Sequence, residues 1–103
     1  MNETTIKNYL KLEKKFMNDA ELAANSGNLE LTTELLDKAK ICMDGVYVEL
    51  MEIKPDNKGL GKITENILKN SQERINHPFA IETRKIYSDG KVYCVNQLMR
   101  ILH

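Results

Sequence analysis

Cys42-Met43-Asp44-Gly45-Val46-Tyr47-Val48-Glu49-Leu50-Met51 is the stretch on which the fold turns. Read as helix, Val46, Leu50 and Ile53 continue the spacing set by Leu31, Leu35, Leu36, Ala39, Cys42 and Met43. Read as strand, the chain breaks at Asp44-Gly45 and the β-branched run that follows suits extended backbone. Glycine inside a helix costs only about 1 kcal/mol. A helix from an Asn28 cap to Lys54, just before Pro55, also matches the preceding segment in length, and this is the favoured reading. On it, Gly45→Ala is expected to stabilise the protein by about 0.5–1 kcal/mol.

Upstream, Ile6, Tyr9, Leu10, Phe16, Met17, Ala20, Ala23 and Ala24 recur at three- and four-residue steps, with Lys11, Lys14, Lys15, Asp19 and Glu21 mostly between them. That pattern predicts an amphipathic helix from Thr4 to about Asn25, capped by Thr4 or Thr5. Asn25-Ser26-Gly27-Asn28 ends it, with Gly27 or Asn28 in the left-handed conformation. The two arms, each roughly 33–39 Å long at 1.5 Å per residue, form a long antiparallel hairpin.

Downstream, Lys54-Pro55-Asp56-Asn57-Lys58-Gly59 has the composition of a turn. A third helix is expected from about Leu60 to Ile75. Pro78 can open a short helix after an Asn76-His77 cap. Ser88-Asp89-Gly90 then breaks the chain, and Val92, Val95, Leu98, Met99 and Leu102 run on at helical spacing. The alternative makes Phe79–Tyr87 and Lys91–Val95 the strands of a β-hairpin, giving an α+β protein. The expected fold is therefore a single mainly α domain over residues 1–103, a long hairpin with a third helix and a short C-terminal element.

The 42% apolar and 29% charged residues describe a globular chain. No apolar run approaches the roughly 18–20 residues of a membrane span. Met1-Asn2-Glu3-Thr4-Thr5 has neither the basic start nor the apolar stretch of a signal peptide, so a cytoplasmic location is expected. Cys42 and Cys94 form no Cys-x-x-Cys pair and sit in apolar runs, where cysteine acts as a small buried hydrophobe. His77 lies beside a proline and His103 is the last residue. Neither has the nucleophile, carboxylate or closely spaced ligands that catalysis or zinc requires. No catalytic residue, cofactor or metal is expected. Lysine dominates arginine, with Asn and Ile plentiful, a bias of low-GC bacteria and their mobile elements.

The charges balance overall, yet residues 1–53 are net acidic and residues 54–103 net basic. Arg74, Arg84, Lys85, Lys91 and Arg100, with Tyr87 and Tyr93 among them, make a candidate partner-binding surface. Glu73, Glu82 and Asp89 dilute its field. The wide apolar face of the hairpin leaves Leu35, Leu36, Cys42, Val46 and Leu50 as candidate contacts of a homodimer. The expected function is that of a small non-catalytic interaction protein that binds and regulates or inhibits a protein partner. A nucleic-acid-associated regulator using the C-terminal basic residues is the runner-up.

A third reading starts from Gly59-Leu60-Gly61 at a helix start, flanked by Lys58 and Lys62. With Val46–Ile53 as a preceding strand, residues 56–61 resemble the acyl-CoA pyrophosphate loop of the acetyltransferase family. That resemblance implies a ligand-binding domain. It covers about twenty residues, Asp56 stands where the family usually has Arg or Gln, and the N-terminal strands of that fold are replaced by helix.

Overall fold

A computed structural model describes residues 2–51 and 75–103. They form three α-helices, α1 (Glu3–Asn25), α2 (Leu29–Met51) and α3 (Pro78–Leu102), with no strand among the described residues. The long antiparallel hairpin is α1 with α2. Asn2, ahead of the expected Thr4 or Thr5, caps α1, its side-chain oxygen accepting from the Thr5 N–H at 3.1 Å. Its start leaves room for this cap because Thr4 and Thr5 are already helical.

The hairpin turn is built by Gly27, whose φ of 72° is the left-handed conformation that glycine adopts without a Cβ clash. Asn28 N–H then bonds Ala23 C=O and Gly27 N–H bonds Ala24 C=O, each at 3.0 Å. This pairing closes the end of α1. Asn28 also opens α2, its side-chain oxygen accepting from the Leu31 N–H at 3.1 Å. One residue thus ends one arm and starts the next.

Helix α2 runs through Asp44-Gly45 without interruption, so Val46–Met51 are helical. The strand that the acetyltransferase resemblance needs before its loop is therefore absent, and residues 56–61 lie outside the described residues. The expected helix over residues 60–75 falls on the same undescribed segment, as does Arg74.

The C-terminal quarter differs from both expectations. It is one helix of 25 residues, with no break at Ser88-Asp89-Gly90 and no β-hairpin. His77 caps it, Nδ1 accepting from the Phe79 N–H at 3.2 Å, and Pro78 occupies the first helical position. Gly90 is in phase with the buried Thr83 and Cys94, so it faces inward where a turn would face solvent. Local turn chemistry yields to packing here.

Helix α3 lies beside α1 in the same direction, as shown by contacts that advance together: Lys14 with Glu82, Met17 with Gly90 and Asn25 with Tyr93. Among the described residues two apolar clusters pack between the helices. Ile6, Leu10, Val46, Leu50 and Ala80 meet at one end, and Met17, Ala20, Ala24, Ala39, Cys94 and Leu98 toward the other. Each large aliphatic side chain buried there stabilises by about 1.5–3 kcal/mol.

Gly45 and Gly90, the two glycines inside described helices, are points of close approach. A Cβ on Gly45 would lie 2.7 Å from the Tyr9 ring, and one on Gly90 would collide with Met17 Sδ. This reverses the expected stabilisation by Gly45→Ala: the helix is continuous, but the Tyr9 ring moves as a rigid unit and occupies the space. At Gly90 the conflict is with a side chain that is itself buried. Overpacking of this kind costs about 1–3 kcal/mol, more than the gain of about 1 kcal/mol in helix propensity. Thermal unfolding of Gly90→Ala should show a lowered Tm, and Gly45→Ala a smaller fall. A rise in Tm at Gly90 would mean that α1 and α3 are not this close.

Candidate functional site

Among the described basic and aromatic candidates, the structure brings few together. At about 100° per residue, Arg84 and Lys91 fall on the flank of α3 nearer α2, while Tyr93 and Arg100 fall on the flank nearer α1. Lys85 points away from the core between them. Arg84 folds back, donating from Nη2 to Ile75 C=O at 2.7 Å and from Nε to Ala80 C=O at 3.3 Å. Lys91 Nζ sits 5.7 Å from the centre of the Tyr87 ring, and Tyr87 itself packs half-buried against the core. Tyr93 donates to Asn25 Oδ1 at 2.6 Å. They make no continuous basic surface.

The hairpin candidates are placed inside the chain. Cys42, Val46 and Leu50 are buried, and Leu35 and Leu36 pack half-buried against the core. Because α3 lies across the hairpin, these five pack within one copy, and the first three have no surface to offer a second.

Both cysteine thiols are free and buried. Burial raises the pKa of each, and the carboxylates of Glu13 and Glu21 raise Cys42 and Cys94 further. Both stay protonated and poorly nucleophilic at neutral pH. Among the described residues no cluster of three or more His, Cys, Asp or Glu side chains could hold a metal ion.

A shallow groove of about 400 Å³ runs between α1 and α3, with Met17, Ile86 and Gly90 in it and charged edges. The ion pair of Lys14 with Glu82, 3.0 Å apart, lies on its edge. The charges of both signs that line it hold no nucleophile–base pair.

The largest feature that the sequence did not disclose is on the outside of α3. Val92, Val95, Met99 and Leu102 are 57%, 42%, 56% and 51% exposed, whereas Leu98 between them is 8% exposed. Leu98 belongs with Ala80, Thr83, Gly90 and Cys94 on the inner face. The other four share a second stripe, at steps of three and four, that no described element covers. Read along the sequence, the two stripes merge into one helical pattern; only the direction of the core separates them.

Glu13 is the other residue that the sequence reading passed over. It occupies the step between Leu10 and Met17 where the helical spacing calls for an apolar side chain, and it is fully buried. Thr83 Oγ1 donates to Glu13 Oε1 at 2.5 Å, and Oε2 has no hydrogen-bond partner. Burial pushes the carboxyl up to about 7, against the lowering effect of the Thr83 hydroxyl. Glu82 adds to the rise and Lys14 opposes it.

Set against known families, curated proteins and solved structures, the chain matches none of them. The class that its fold and surface define is a mainly α bundle whose last helix is apolar on two sides. None of its described helices is long and apolar enough to cross a membrane.

Glu13 makes the bundle pH-dependent. Its carboxyl takes up a proton more readily when folded, about 7 against an ordinary 4.5, so its contribution is full below pH 4.5 and is lost as the pH rises toward 7. The loss is on the order of 3 kcal/mol. Glu13→Gln keeps the shape and an acceptor for Thr83 without the charge. Its stability should stay level where the native chain's falls, leaving the variant the more stable at pH 8. Parallel stability curves for the two between pH 4.5 and 8 would show that Glu13 is not buried as described.

Proposed function

We propose that this chain is a small non-catalytic interaction protein that binds and regulates or inhibits a protein partner, docking it on the outer face of α3. The single observation that carries this reading is the stripe of Val92, Val95, Met99 and Leu102, which the fold leaves uncovered by any described element. Single exposed apolar residues are ordinary, but a contiguous row of them on one helix is the feature that marks association surfaces. Such a row supplies affinity by apolar burial and depends little on salt.

The nucleic-acid reading draws less support, since the described basic residues divide between two flanks of α3 and Arg84 is engaged by main-chain carbonyls. A photo-reactive benzophenone side chain placed at position 99 tests the proposal in the cell of origin, with position 15 on the outward face of α1 as control. The reading expects cross-linked protein from position 99 at several times the yield from position 15. Equal yields from the two would overturn it.

A further inference from the structure

We infer that the outer face of α3 takes a second copy of this chain, the two α3 helices lying side by side in parallel. This rests on the reading of that face as an interaction surface and names its occupant. Counted along the helix, Ile81, Lys85, Ser88, Val92, Val95, Met99 and Leu102 alternate steps of four and three without a break, and all seven are exposed. That is the repeat of a two-stranded coiled-coil seam. In this frame Val92 and Met99 hold one core position, and Val95 and Leu102 the other. Lys85 and Ser88 make the N-terminal part of the seam polar, and Lys85 holds the core position at which a polar residue fixes register at some cost in stability.

The residues flanking the seam decide the direction. On one side lie Arg84 and Lys91, on the other Asp89 and Asn96. In a parallel pair each flanking residue meets the opposite flank of the second copy five positions further on. Arg84 therefore meets Asp89 of the other copy, once on each side of the axis. To reach it the guanidinium leaves the Ile75 and Ala80 carbonyls, which lie on the N-terminal side of Arg84, and swings toward its C-terminal side. Lys91 meets Asn96. An antiparallel pair would set basic flank against basic flank and acid against acid. Charge complementarity thus selects the parallel arrangement.

The apolar part of the seam spans about three turns, so the association is weak, with a Kd on the order of 10–100 µM. Sedimentation equilibrium of the full chain from 10 µM to 1 mM should resolve monomer and dimer. Val92→Glu with Met99→Glu should raise the Kd at least tenfold, with helix content by circular dichroism unchanged. Asn96→Glu should lower it by about fivefold, because it gives each Lys91 a carboxylate to pair with. A native chain that stays monomeric at 1 mM overturns the inference. So does a dimer indifferent to the Val92 and Met99 changes, or one weakened by Asn96→Glu, the result an antiparallel pair would give. A monomer that still cross-links a different protein through position 99 overturns this inference alone and leaves the proposed function standing.

Discussion

A hydroxyl donating to a carboxyl in the middle of the bundle, Thr83 to Glu13, is the contact that the rest of the arrangement depends on. On either side of it the interior is apolar, one cluster around Ile6, Leu10, Val46 and Leu50 and the other around Met17, Ala20, Ala39 and Cys94. A helix that slid by one turn along α1 would leave this carboxyl buried without a donor, at the cost of about 1–3 kcal/mol that an unsatisfied buried polar group carries. A buried polar pair of this kind adds little net stability but penalises every other register. The partnerless Oε2 shows that satisfaction is incomplete even in the native register, which is why burial outweighs the hydrogen bond and holds the carboxyl near 7.

The same pair sets the rotation of α3 about its own axis. With Thr83 turned inward, Gly90 faces Met17 and Cys94 and Leu98 follow into the core. Val92, Val95 and Met99 are then turned outward by the geometry of the helix. The apolar outer stripe is thus a consequence of how the inner face is locked. A looser helix would roll some of that surface into the core, as the hydrophobic effect favours.

Much of this was legible in the residues and some was not, for identifiable reasons. The two arms of the hairpin follow from three- and four-residue spacing, and their junction from Gly27, the one described glycine that adopts a positive φ. The continuity of α2 through Gly45 follows from phase, whereas the role of Gly45 does not, because nothing in a linear sequence places Tyr9 over it. Ser88-Asp89-Gly90 carries the composition of a turn and stays helical because Gly90 is where α1 and α3 meet. The interface residues expected on α2 were displaced by the same event. A C-terminal helix long enough to cover the hairpin buries Cys42, Val46 and Leu50 and moves the exposed apolar surface to its own far side.

Both faces of α3 exist only if it is one unbroken helix with Thr83, Gly90 and Cys94 against the bundle and Val92, Val95 and Met99 turned away. Nuclear Overhauser contacts within one labelled copy test this directly. The account predicts contacts from the Gly90 α-protons to the Met17 methyl, and none from the Val92 or Val95 methyls to any side chain of α1 or α2. Val92 methyls in contact with α1, with Gly90 remote from Met17, would contradict it.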